Sequence, residues 1–330
     1  MPQDANTSVS TRIDSDGGLT FDAFMKLLRS KPDSLDAYFG EIGISTLLPS
    51  TQATIHCRYL KLDGTNTPRV NALADRLARE LINYSIPRSD IKEALEKAEG
   101  AYDTKHFAAL YRKANRLFTD IENTGEGGEL LLYLMTETYL QLPQLFCKMP
   151  LKTSSKMHYH GADGIHGSYD PSTKTLAMYW GESKLYATPS AAIKACFESL
   201  APFVLPDGSS AAPQTRDVQL LSDNLNLDDS EFEAALLRYL DPDDPYFNKM
   251  IYRGVALVGF DSASYTPGTP PLTEDGLQTA LLSATSSWHK SVAHYVAKHE
   301  LSEIGIELFC IPFPSVEAFR TAFLKELGIK

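Results

Sequence analysis

From Gly125 onward the apolar residues switch repeatedly between a helical and an extended period, and that alternation limits the architectures open to the chain. "GEGGELLLYLMTETYLQLP" opens on glycines and becomes a strongly apolar helix. "SKMHYHGAD" and "KTLAMYWGESKLY" read as strands, and "GSYDPSTK" between them reads as a hairpin turn signalled by Asp170-Pro171. "TPSAAIKACFESLAPF" is a helix with Pro189 in its first turn. "YRGVALVGFDS" and "IGIELFCIPFPS" are buried strands, followed by the helices "TEDGLQTALLSATSSWHKSVAHYVAKHEL" and "SVEAFRTAFLKELG". Helices interleaved with strands in this order predict an α/β fold around one mixed sheet.

Upstream, "LTFDAFMKLLR" and "SLDAYFGEIG" read as short helices and "TIHCRYLKL" as a strand. "TPRVNALADRLARELINYSIP" reads as one amphipathic helix, with Val70, Leu73, Leu77 and Leu81 on one face and Pro87 as its stop. The expected organisation is an N-terminal α/β extension over 1–100 and a main domain over 101–330, which carries an acidic helical insert near 215–248. The opening "MPQDANTSVSTRIDSDGG" has no apolar core of the kind a secretory signal needs, and reads as a tail.

The net charge of -11 argues against general nucleic-acid binding when taken alone, but its distribution matters more. Residues 101–200 hold ten Lys+Arg and ten Asp+Glu, whereas Asp217 to Asp244 holds nine acids against Arg238 alone. That acidic segment and the first hundred residues are where a partner is expected, so neutralising Asp241, Asp243 and Asp244 should weaken a complex more than it alters cleavage. A solvated acidic surface is the plainer alternative. Lys105, Arg112, Lys113 and Arg116 likewise make a basic helix face that solvation alone explains. Cys57, Cys147, Cys196 and Cys310 form no C-x-x-C pair and fit reduced buried thiols of a cytoplasmic protein. No apolar run approaches the roughly 18 residues that cross a bilayer, so no membrane partner is expected.

The chemistry concentrates around Asp163 and "GESK". Residues two apart on a strand share a face, so Glu182 and Lys184 point the same way, and the hairpin brings Asp163 near Glu182. Two carboxylates at neighbouring strand ends repel unless a cation lies between them. Hard oxygen donors of this kind suit Mg²⁺ or Mn²⁺, and a lysine beside them can orient or help deprotonate water. Glu126 and Glu129 open the apolar helix and face the same region; Glu129, where the buried face begins, is the better fourth acid, and Glu126 suits a helix start.

"GEGGELLLY", "GADGIH" and "GESKLY", in this order and spacing, resemble the PD-(D/E)xK nuclease superfamily and, more closely, the HamA family of the Hachiman antiphage defence system. The likeness runs from about Tyr102 to the C-terminus and includes "IELFCIPFPS". It implies a restriction-endonuclease-like mixed sheet flanked by helices, metal-dependent cleavage of DNA phosphodiesters, and a helicase partner, HamB, that restrains the nuclease. It further implies that Asp163 and Glu182 hold the metal, that the Ser183 carbonyl adds a ligand, that Lys184 acts on the water and that Glu129 is the helix acid. One departure is that Ala162, rather than proline, precedes Asp163.

Rival readings stay open at this stage. The fold can serve a non-catalytic binding or scaffold subunit, Glu182–Lys184 can be a strand-end salt pair, and Asp163 a turn residue. His166 fits a supporting or phosphate-contacting group or a structural histidine, and Lys194 fits a phosphate contact or a solvated lysine. His158 and His160 share a strand face and could hold a transition metal, although the histidine spacing misses that of metallo-β-lactamase-type hydrolases. The calcium-loop mimic at Asp14 fails at Met25, and no phosphate-binding P-loop is present.

Overall fold

A computed structural model describes residues 19–30, 35–99, 103–118, 125–151, 161–205, 212–268 and 272–329. The elements run α1 (Phe21–Met25), β1 (Phe39–Glu41), β2 (Thr46–Leu47), β3 (Ala53–Leu60), α2 (Val70–Ala78), α3 (Leu81–Ser85), α4 (Arg88–Ala98) and α5 (Lys105–Asn115). They continue as α6 (Glu126–Tyr139), β4 (Gln144–Phe146), β5 (Gly164–Asp170), β6 (Thr175–Tyr186), α7 (Pro189–Val204), α8 (Pro213–Asn224) and α9 (Ser230–Leu240). β7 (Met250–Asp261), α10 (Glu274–Lys298), β8 (Ile306–Phe313) and α11 (Val316–Glu326) complete the chain.

The expected mixed sheet is present, in the order β1-β3-β8-β7-β6-β5-β4, with β2 also paired to β3. β3, β8, β7 and β6 are mutually parallel, and antiparallel strands close both edges. Parallel strands must be covered on both faces, which explains the unbroken apolar runs in β7 and β8. β3 belongs to the N-terminal hundred residues yet pairs with β8, so that region contributes strands to the same sheet. α6 is buried almost all round, from Leu130 to Thr138. It therefore sits in the interior, and trimming one of its leucines to alanine costs about 2–5 kcal/mol.

Three expectations are corrected. "SLDAYFGEIG" is a turn followed by β1, not a helix. Leu35, Phe39 and Ile42 are all buried at a helix-like spacing, but Tyr38 N bonds Leu35 O in a turn, and Phe39 then pairs with Leu60. The single helix after Thr67 is two, because Arg79 and Glu80 separate α2 from α3. Pro87, taken as a stop, also opens the unforeseen α4.

The third correction shapes the site. Asp163 does not end a strand; it stands just before β5. Gly167 to Tyr169, expected as part of the turn, belong to β5, and only residues 171–174 turn the chain. Gly167 is there for packing, since a Cβ would meet Leu145 Cδ1 at 2.6 Å and Phe24 Cε1 at 3.0 Å. Asp170 closes the turn by accepting from Ser172 N at 2.9 Å.

Candidate active site

The hairpin register sets Gly164 opposite Gly181, and Asp163 N donates to Gly181 O at 2.8 Å. Asp163 thereby lies beside the Glu182–Ser183 peptide. Ser183 N and Ser183 Oγ both donate to Asp163 Oδ2, each at 2.7 Å. Lys184 Nζ pairs with Glu182 Oε1. Glu182 is buried and Lys184 is about a quarter exposed, so the ammonium marks the open side of the cluster.

Electrostatics separate the roles. Burial, and after it the Asp163 carboxylate, pushes Glu182 well above the ordinary carboxylate range, against the pull of Lys184. Burial would push Lys184 down, yet Glu182 holds it above its usual value. The two shifts differ in sense because Glu182 faces two neighbours of opposite sign: Lys184 stays cationic, and Glu182 is the group that takes up a proton. A divalent cation at this corner would replace that proton, so the donor set fits Mg²⁺ or Mn²⁺ through oxygen ligands. Among the described residues, no three His, Cys, Asp or Glu side chains are gathered to hold a metal by themselves. Water would have to complete the coordination, as Mg²⁺ commonly retains it.

The helix acids approach from α6. Gly128 packs on β6, where a Cβ would stand 3.2 Å from both Ser183 Oγ and Leu185 Cγ. That contact brings the first turn of α6 over the "GESK" segment. Glu126 is buried and Glu129 is half-buried. Glu129 is among the charges that raise Glu182, which favours Glu129 as the acid close to the cluster. Burial keeps the Tyr84 phenol protonated, and its OH donates to Glu129 Oε2 at 3.4 Å.

The remaining sequence candidates separate. His166 is buried on β5, with Nδ1 2.9 Å from Leu142 O and its ring against Tyr133, so it is a structural histidine rather than a contact for substrate. Lys194 is exposed beside Glu198. Lys105 and Lys113 pair with Asp103 and Asp90, which leaves Arg112 and Arg116 to carry the α5 basic face. His158 and His160 lie outside the described residues, as does the Asp14 loop. Cys57, Cys196 and Cys310 are buried free thiols, and Cys147 is half-buried.

His166 carries a pH dependence. Burial depresses its imidazolium to about 4, against 6.5 in an open chain. Between those values the unfolded chain binds the extra proton, so stability is lost as pH falls from 6.5 toward 4. His166→Asn should make urea unfolding less sensitive to acid by about 2–3 kcal/mol between pH 7 and pH 4.5. Parallel losses in wild type and variant would remove His166 as the cause.

Asp217, Cys196 and Tyr84 were not anticipated at the site. Asp217, in the acidic insert, is fully buried rather than solvated, and its Oδ2 accepts from Lys148 Nζ at 2.6 Å and Ala162 N at 3.3 Å. The acid thus grips the residue before Asp163. The only sequence signal was its place in α8 between Arg216 and the apolar Val218. Cys196 was also missed; its protonated thiol donates to Glu182 O at 3.7 Å, tying α7 to the same corner.

Fold and site define a helix-covered, mixed-sheet α/β protein with a carboxylate–lysine corner at the open end of its β5–β6 hairpin. A model of the HamA family matches residues 36–327, and the chain belongs to that family. It is a protein of the Hachiman antiphage defence system, and membership implies a partner within that system. No curated protein matches the sequence. Among the described residues, no helix is long and apolar enough to cross a membrane.

Proposed function

We propose that this chain is the metal-dependent deoxyribonuclease of its Hachiman complex, held in check by a helicase partner and acting in the cytoplasm. The observation that carries the reading is the register that sets Asp163 against Glu182–Ser183 with Lys184 on the Glu182 face. Asp163 and Glu182 would hold Mg²⁺ or Mn²⁺, with the Ser183 carbonyl and Glu129 as further oxygen donors. The cation would supply Lewis acidity toward the scissile phosphate and lower the pKa of water. Lys184, cationic and partly open to solvent, would orient the attacking water and offset charge developing on the phosphoryl oxygens. Tyr84 would hold Glu129 in place, and Asp217 would fix the backbone before Asp163. The nuclease-like core reading of the fold belongs to the same proposal.

One observation favours a second reading, a non-catalytic subunit on this scaffold. Asp163 Oδ2 is already satisfied by Ser183, and Glu182 Oε1 by Lys184, as in a purely structural ion cluster. Plasmid digestion separates the two. Protein co-purified with its system partner should nick or linearise DNA with Mg²⁺ and stop with EDTA. DNA left intact under every metal and partner condition would favour the scaffold.

A further inference from the structure

A cavity of about 360 Å³ opens between the α3–α4 turn, β4 and the link from α8 to α9. Its volume is at the lower end of the range for small-molecule sites. Arg29 and Arg88 both line it and both are half-buried. Each guanidinium is anchored by backbone carbonyls. Arg29 Nη1 donates to Asn83 O and to Ile86 O, the latter at 3.2 Å, and Arg88 Nη2 donates to Leu27 O. Carbonyl anchors fix orientation, and the buried Glu137 carboxylate acts on the charge of both guanidiniums.

No acid among the described residues makes an ion pair with either arginine. The Glu137 carboxylate accepts from Arg29 N and Ser30 N at 2.9 Å and from Gln144 N at 3.1 Å, and its single negative charge offsets part of the two guanidinium charges. Asp223, on the exposed rim, accepts from Gln219 Nε2 at 2.8 Å. Two half-buried cations thus share one buried carboxylate, and a further anion would offset the excess positive charge. Consistently, burial and then the Arg29 charge depress Arg88 to about 10.

We propose that this cavity binds a phosphate monoester of mononucleotide size, with Arg29 and Arg88 on the phosphate. A phosphate monoester carries about -1.5 to -2 at neutral pH and matches two guanidiniums, whereas a carboxylate matches one. Ile86 and Leu227 supply an apolar wall, and the side chain of Asn224 a polar one, as a nucleobase requires. The same chemistry is offered by a free nucleotide and by the 5′-phosphorylated end of a DNA strand. The cavity also reaches the carboxylate corner through Tyr84, which lines it and donates to Glu129. The proposal does not depend on cleavage activity, since binding alone tests it.

Calorimetric titration of the full chain in low salt, with EDTA present, compares dAMP with deoxyadenosine, and a 5′-phosphorylated oligonucleotide with its 5′-hydroxyl counterpart. At least one phosphorylated probe should bind ten-fold or more tightly than its unphosphorylated partner. Tighter binding of dAMP assigns the site to free nucleotides; tighter binding of the phosphorylated oligonucleotide assigns it to DNA ends. Arg88→Gln should remove the phosphate preference, and Arg88→Lys should retain part of it. Equal binding of each pair by the wild-type protein overturns the proposal without recourse to variants. So does a phosphate preference undiminished in a folded Arg88→Gln protein.

Discussion

Lys184→Ala is expected to lower DNA cleavage by about 10²–10⁴-fold while the protein still folds. Lys184 is the cation paired with Glu182 and is about a quarter exposed, so its loss removes charge from where the phosphate would lie. The fold should survive because Glu182 has another way to be neutral. Burial and Asp163 already push it toward the protonated form, and without Lys184 it will hold its proton more firmly. Folding can be checked by urea midpoint and cleavage by plasmid nicking with Mg²⁺. Near-wild-type nicking by the purified variant would remove Lys184 from the chemistry. Restored cleavage in Lys184→Arg would show that charge alone suffices at this position.

Asp217→Ala should cost about 3–5 kcal/mol of stability, because it strands a buried ammonium. Lys148 is 6% exposed, lies against the ring of Phe203, and has Asp217 as its ion-pair partner. Burial already depresses its pKa, so without the acid it will deprotonate or drag water inward. The double replacement Lys148→Met with Asp217→Leu removes both charges and should recover most of the loss, as apolar substitutes for buried pairs generally do. A loss below about 1 kcal/mol for Asp217→Ala, on the scale of exposed pairs, would mean that the bridge is open to water in solution. The double variant has a further use. It restores packing without the grip of Asp217 on Ala162 N, so reduced cleavage in a stable double variant would reveal a positioning role for the insert.

These effects bear on how much the sequence discloses. Glu182 and Lys184 were legible because a strand period of two places them on one face whatever the surrounding fold. The proximity of Asp163 was legible in outcome but not in geometry. A strand that ended at Asp163 would have set it across from Thr175; it meets Glu182 only because β5 occupies the residues after it. Gly167 misled because glycine signals turns, whereas here it makes room for Leu145. β1 was hidden because its buried Phe39 falls at helical spacing with Leu35 and Ile42, which flank the strand. α4 was hidden because most of its side chains are exposed, and its apolar stripe of Ile91, Ala94, Leu95 and Ala98 is short and weak. Asp217 illustrates the limit of reading charge runs: one acid in a solvated series is buried against Lys148, sixty-nine residues away, and no local pattern distinguishes it. Arg29 and Arg88 are concealed for the same reason, since a cavity is assembled from segments far apart in the chain.

Titration of Mn²⁺ into the protein, followed by electron paramagnetic resonance of the free ion, tests the carboxylate corner without requiring turnover. The account predicts one site at which Asp163→Asn and Glu182→Gln each weaken binding by at least ten-fold, with wild-type affinity rising with pH as Glu182 gives up its proton. Mn²⁺ binding that is absent from the wild-type protein, or unchanged in both variants, would contradict it.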